Sequence, residues 1–296
     1  MNFNLDFLRF RFIALVVSVS FILVSFATIS IQQLQLGLDF TGGTLVEVGF
    51  TETVDPEEIR TYLEGNQIDA LVQAFGSDKD LLIKIPSSEN IENANIVIDS
   101  LKEQYSFQLR RSGFVGPQVG GELRDQGGLG LLAALLVMMI YIMFRFQYKF
   151  AIGAVVALFH DVLIVLGIFS IFRLEFDLSV LAALMAVIGY SLNDTIVVSD
   201  RIRENFRAKR KLNSEQVINR SLNNTLGRTL ITSLTTLLVL FSLLFLGGEI
   251  IRNFAIGVVV GTYSSIYVLT NVLLSMKISA DDLAERTKES FDDGMP

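Results

Sequence analysis

Six stretches of the chain are apolar for about the thickness of a hydrocarbon core, which a helix crosses in roughly 20 residues. They fall at about 12–31, 128–146, 150–172, 178–199, 229–246 and 254–276, and each predicts a membrane-spanning helix. Residues 32–127, between the first two, carry a different pattern. "TLVEVGF" (44–50) alternates with a period of two and predicts a strand. "VDPEEIRTYLEGN" predicts a helix with Asp55 as N-cap, Pro56 at the first helical position and Glu58 placed to complete a capping box. "DALVQAF" and "DLLIKIP" predict two strands around the turn "GSDKD". Ile91, Ala94, Ile98 and Leu101 mark one face of a second helix, and "SFQLRRSGFVG" closes with a strand. The order β-α-β-β-α-β is that of a ferredoxin-like α+β sandwich, a fold that hosts many functions and specifies none. The expected role of this unit is a scaffold or recognition module.

The chain therefore divides into an N-terminal end with the first span (1–31), an α+β domain (32–127), spans two to six (128–276) and an acidic tail (277–296). Arg9 and Arg11 precede the first apolar run, as in a secretory signal. That run exceeds the usual signal core of about 7–15 residues and no small-x-small cleavage site follows, so an uncleaved helix is expected. Orientation follows from positive charge in short loops. With the N-terminus inside, the inner loops carry Arg9, Arg11, Arg145, Lys149, Arg201, Arg203, Arg207, Lys209, Arg210, Lys211 and Arg220, against Arg173 and Arg252 outside. Both termini are expected in the cytoplasm and residues 32–127 outside.

Composition narrows the chemistry. Of 296 residues, 51% are hydrophobic and 19% charged, too apolar for a soluble domain. No cysteine is present, which excludes disulfides, thiolate metal sites and cysteine nucleophiles, and the single histidine, His160, excludes a multi-histidine metal site. The net charge of −7 hides the asymmetry of the loops.

Against that background, three charged residues inside spans stand out. A charge there costs about 2.5 kcal/mol or more and usually faces the bundle interior. Asp161, in "VALFHDVLIVLGIF", lies about 16 Å from the inner end of its span, and Asp194, in "GYSLNDTIVV", about 9 Å. Arg228, in "NNTLGRTLITSLTT", enters from the same side to a similar depth. A fixed arginine and apolar burial push a carboxyl in opposite directions, as a reversible proton carrier needs. Tyr190, Ser191, Asn193 and Thr195, then Thr229, Thr232, Ser233, Thr235 and Thr236, are supporting polar residues. They could line a wet path or serve as hydrogen-bonding glue between helices. His160 is expected to pack or hydrogen-bond. Gly257 and Gly261 predict close helix packing. Two glycine-rich junctions, "GLDFTGGT" and "VGPQVGGELRDQGG", place Gly42, Gly43, Gly120 and Gly121 as turn or hinge positions where helix meets sheet.

Taken together, "GLDFTGGT", "VGPQVGGEL", "ALFHDV", "GYSLNDTIVVSDRIREN" and "RTLITSLTT" resemble the SecF family, membrane subunits of the bacterial Sec protein-export machinery. The resemblance runs in order from about residue 1 to 276. It implies half of a resistance–nodulation–division-like bundle, paired with a second six-span subunit, SecD, and associated with the SecYEG channel. YajC and the unfolded preprotein chain are further candidate partners, and a nucleic-acid partner is not expected. No cofactor is implied, the proton gradient being the energy source. The family's functional carboxylate falls on Asp194, its membrane arginine on Arg228 and the "HD" aspartate on Asp161. Two other readings compete: half of a proton-driven small-molecule efflux pump, and an intramembrane aspartyl protease using Asp161 and Asp194, whose dyad would have to share a proton.

Overall fold

A computed structural model describes residues 5–75, 77–86, 92–208, 212–244, 249–280 and 282. Lys209, Arg210, Lys211, Ile91 and most of the acidic tail lie outside those residues. In chain order, a 3-10 turn (Phe7–Phe10) leads into α1 (Arg11–Gln32), β1 (Gln35–Leu36), α2 (Leu38–Thr41), β2 (Gly43–Phe50) and α3 (Pro56–Gly65). Then come β3 (Leu71–Phe75), β4 (Ser77–Pro86), α4 (Glu92–Gln104) and β5 (Phe107–Val115). The remainder is α5 (Pro117–Arg145), α6 (Tyr148–Ile171), β6 (Glu175–Phe176), α7 (Leu178–Ala208), α8 (Ser214–Leu244) and α9 (Glu249–Ser275).

Strands β2 to β5 form an antiparallel sheet ordered β3-β4-β2-β5, the ferredoxin-like arrangement. Alternation decides which face is covered. Val46, Val48 and Phe50 of β2 and Leu81, Ile83 and Ile85 of β4 point one way. They bury against Ile59 and Leu63 of α3 and Ala94, Val97, Ile98 and Leu101 of α4. Asp55 caps α3 as expected, its carboxylate accepting from the Glu57 N–H at 3.0 Å, with Pro56 at the first helical position. Glu58 does not complete a capping box. Its carboxylate accepts from the Tyr105 hydroxyl at 3.0 Å, because Tyr105 stands over that turn. β4 already begins at Ser77, so Ser77–Asp80 of the expected turn "GSDKD" are strand, with Phe75 paired to Ser77. Arg110 Nε reaches Asp80 Oδ1 at 2.8 Å from β5 to β4, crossing β2 at Gly49, where a side chain would collide with the guanidinium.

Among the described residues, six helices are long and apolar enough to cross a membrane: α1 with its leading turn, then α5 to α9. α6, α7 and α9 make the centre, with 61%, 50% and 50% of their apolar windows buried, whereas α5 has 6%. The helices outrun the apolar runs. α7 continues to Ala208 and α8 starts at Ser214, since Ile202 and Phe206 pack against Val217, Ile218 and Leu222 beyond the expected span ends. At about 1.5 Å per residue, these 31-residue helices exceed a hydrocarbon core of about 30 Å. α5 starts at Pro117, so Gly120 and Gly121 sit within its first turns and not between sheet and helix. Proline at N1 fixes the start, and helical hydrogen bonding continues through the glycines because the helix packs there against the chain after α1.

Candidate functional site

Small residues bring the central helices together. A methyl group on Gly261 of α9 would lie 2.8 Å from Ser191 Cβ of α7, and one on Gly257 would collide with Val187. Into this crossing α6 delivers Asp161, fully buried. Its Oδ2 accepts from Ser191 Oγ at 2.5 Å and from Ser264 Oγ at 2.8 Å, and its Oδ1 lies 3.0 Å from His160 Nδ1. The His160 ring lies 6.0 Å from that of Tyr263 at an interplanar angle of 24°. The Tyr263 hydroxyl in turn donates to the Ala14 carbonyl of α1 at 2.8 Å and lies 3.0 Å from Ser18 Oγ. His160 Nε2 is buried with no hydrogen-bond partner. Asp161 is therefore a filled acceptor joining α6, α7 and α9. Ser264 and Tyr263 escaped the sequence reading. The polar run "GTYSSIY" inside the last span was their signal.

Asp194 sits one turn beyond Ser191 on α7 and is 2% exposed, yet its Oδ2 has no hydrogen-bond partner. The hydroxyls of Thr195 and Thr229 are likewise buried and unpartnered. Arg228 lies midway along α8 and is exposed. No carboxylate among the described residues comes within 4.0 Å of it. The Tyr190 hydroxyl donates to Ser233 Oγ at 3.4 Å, and Ser233 Oγ lies 2.7 Å from Thr262 Oγ1, tying α7 to α8 and α9. Thr232, Thr235 and Thr236 give their hydroxyls to carbonyls of their own helix. Asn193, expected among the supporting polar residues, is exposed, facing away from the side on which Asp194 is buried.

The α+β domain is fastened to the start of α7, the helix that carries Asp194. β1 and β6 pair in parallel, Gln35 with Glu175 and Leu36 with Phe176. Such two-residue strands carry no periodic pattern, and nothing in the sequence announced them. Lys84 of β4 forms an ion pair with Glu175, the two side chains being 13% and 14% exposed. Asp39 accepts from the Leu178 N–H at 3.2 Å, capping α7 from another segment, and Phe40 stacks on Phe176 with 6.0 Å between centroids. Gly42 and Gly43 have φ of +74° and +146°, backbone that glycine adopts without a Cβ penalty. A methyl group on Gly120 would lie 2.8 Å from the Gly42 nitrogen and 3.0 Å from the Phe40 oxygen, while Gly121 faces open space. Gly42, Gly43 and Gly120 thus form a close-packed junction between domain and bundle.

A family profile described as "Protein export membrane protein SecD/SecF, C-terminal" matches residues 96–279, and one described as "SecD/SecF GG Motif" matches residues 28–54. The chain is 44% identical to the protein translocase subunit SecF of Pseudomonas aeruginosa, over 98% of this chain and 97% of that one. It is also 44% identical to the SecF subunit of Vibrio alginolyticus, over 98% and 96%. The chain belongs to the SecF branch of the SecD/SecF protein-export family. SecF proteins are translocase subunits, not enzymes, and the chain shares their place in protein export. Among solved structures, the translocon-associated membrane protein SecDF of Thermus thermophilus matches with a TM-score of 0.84 at 35% identity over 93% of this chain. SecDF in a super-membrane-facing form matches with 0.68 at 36% identity over 94%. This SecF chain spans 39% of the length of each of those SecDF chains. Placement in the family removes the efflux-pump and protease readings. The geometry agrees for the protease, since the oxygens of Asp161 are taken by Ser191, Ser264 and His160 and not shared with Asp194.

Proposed function

We propose that the chain works with SecD to couple the proton gradient to preprotein movement through the SecYEG channel, with Asp194 as the proton carrier. The observation that carries this reading is a carboxylate 2% exposed within a membrane span, with one oxygen left without a hydrogen-bond partner. A structural carboxylate in that setting would be filled, as Asp161 is. Protonation of Asp194 removes the charge that attracts Arg228, so α7 and α8 repack, and the junction at Glu175, Asp39 and Gly42 passes the shift to the α+β domain. Asp161 holds α6, α7 and α9 in register and is the fixed member of the set. Thr195 and Thr229, each with an unpartnered hydroxyl, offer the water-binding groups a proton path needs. Movement of one proton through about 100 mV supplies about 2.3 kcal/mol, enough to bias a two-state tilt.

In this reading both termini face the bacterial cytoplasm, the α+β domain faces outward, and SecD supplies the second half of the bundle. SecYEG, YajC and the unfolded preprotein complete the partners. The test is Asp194→Asn in the SecD-containing complex. SecD co-purification is expected to persist while the gradient-dependent part of export is lost. Export that still responds fully to the gradient would falsify the relay.

A further inference from the structure

Small side chains seat α1 on the central helices. Ala14, Ser18 and Ser25 are its buried residues. The first two meet the Tyr263 hydroxyl of α9, and Ser25 packs on Gly167 of α6, where a methyl group would collide with it. Between those two contacts the three helices stand apart and leave a groove of about 780 Å3. It is lined by Val17, Phe21 and Val24 of α1, Ile164 and Ile168 of α6 and Val260 of α9, and none of the described residues lining it is charged. It follows α1 from Val16 to Ser25, about 14 Å at about 1.5 Å per residue, close to one leaflet of a hydrocarbon core about 30 Å thick. Phe21, Val24 and Val259 at its rim are about half exposed, so the groove opens sideways, towards hydrocarbon and not water. On α6 it ends at Ile171 and Phe172, beside the α+β domain.

Arg173 follows at once. It is exposed, and no carboxylate among the described residues lies within 4.0 Å of it. The two carboxylates of the same connection are committed elsewhere: Glu175 to Lys84, and Asp177 to the Val180 N–H at 2.8 Å. Gln33, also exposed, ends α1 at the same level, its carbonyl accepting from Ser170 Oγ at 2.9 Å. We infer that the groove binds an anionic phospholipid from the leaflet on the α+β domain side, one acyl chain lying between α1, α6 and α9 and the phosphate on the Arg173 guanidinium. The chain by itself selects nothing, because lipid hydrocarbon is as apolar as these side chains. Arg173 supplies the preference, a cation at the membrane surface favouring an anionic over a neutral lipid by about five-fold. A partner's helices belong instead where polar residues are exposed at mid-span, at Asn193 of α7 and Arg228 of α8, and neither helix lines the groove. The lipid fills the space that small residues leave beside α1, the helix that leads into the α+β domain, and the site is independent of the relay at Asp194.

The test uses the SecD-containing complex in lipid vesicles doped with phosphatidylglycerol or phosphatidylethanolamine, each carrying a photoreactive group midway along one acyl chain. Adducts are mapped by mass spectrometry at Val24, Ile168 and Val260 in the groove, with Leu23 and Phe26, exposed on α1 outside the lining, as the reference. The anionic lipid is expected to exceed the neutral one about five-fold in the groove and to match it at the reference positions. Arg173→Gln is expected to bring the groove ratio to one, and Arg173→Lys to keep it. Glutamine suits the site, since Gln33 and Gln67 already hold φ of 59° and 62° and Arg173 has 50°. A ratio of one in the unaltered complex overturns the site, leaving an ordinary lipid boundary. A preference that survives Arg173→Gln overturns the role of Arg173. Groove positions that take no adduct from either lipid, while Leu23 and Phe26 do, would show that SecD or a second copy covers the groove, and the lipid assignment falls.

Discussion

Asp161 and Asp194 are buried carboxylates on packed helices, and what separates them is whether their oxygens are filled. Asp161 receives two serine hydroxyls and faces an imidazole nitrogen, and removing one donor leaves a buried acceptor short. Ser191→Ala and Ser264→Ala are each expected to cost about 1 kcal/mol, and Asp161→Ala several kcal/mol because it removes the shared partner of Ser191, Ser264 and His160 and leaves a cavity. Thermal unfolding of the purified complex in detergent is the measurement. A wild-type melting temperature for Asp161→Ala would show that the clamp contributes nothing. The conspicuous residues were legible in the sequence, since an aspartate in an apolar run cannot hide. Their difference was not. Ser191 was visible on the helix of Asp194, but Ser264 lies 103 positions from Asp161, and no local pattern pairs them.

At the scale of elements, the junction between the α+β domain and α7 invites two tests. Lys84 and Glu175 are mostly buried, so breaking the pair leaves an uncompensated charge. Glu175→Gln or Lys84→Met is expected to cost about 1–3 kcal/mol and to speed amide hydrogen exchange in β1, β4 and β6. Unchanged exchange in both variants would show that the β1–β6 pairing and the packing of Phe40 hold the junction without it. At the other end, Asp282 accepts from Lys149 Nζ at 2.7 Å and from the Ser279 N–H at 2.8 Å, tying the residues after α9 to the start of α6. Burial pushes the Asp282 carboxyl up, but the hydrogen bonds from Lys149 and Ser279 outweigh it and hold it below the ordinary carboxylate value. With the folded value depressed, the stabilisation is present above the ordinary carboxylate range and lost as pH falls through the lower, folded value. Acidification below about pH 4 is expected to raise proteolytic cleavage after α9, and Asp282→Asn to produce the same susceptibility at neutral pH. The spans, the β-α-β-β-α-β order and the Asp55 cap could all be read from periodicity and capping chemistry. β1 and β6 could not, because a two-residue parallel pair has no period and exists only where tertiary packing aligns it.

The whole molecule is two cores joined at the foot of α7, with an unevenly finished membrane surface. α5 is scarcely buried, and Asn193 and Arg228 are exposed at mid-helix, where facing lipid would be costly. That surface is where the second half of the bundle is expected. The chain purified without SecD should aggregate or lose its thermal transition, and SecD should restore both, as size-exclusion chromatography and a melting curve will report. A monodisperse, equally stable isolated chain would show that the surface tolerates lipid. The sequence by itself determined the number of spans, the class of the domain between the first two and the identity of the charged residues committed to the membrane. Those follow from local physics: about 20 apolar residues cross a bilayer, alternation makes a strand, and a charge in a span is dear enough to be conspicuous. Only the tertiary structure decided that Asp161 is filled and Asp194 is not, and that the domain is fastened to α7. Each of those depends on which distant side chains arrive within about 3 Å, and helix packing sets that, not spacing along the chain.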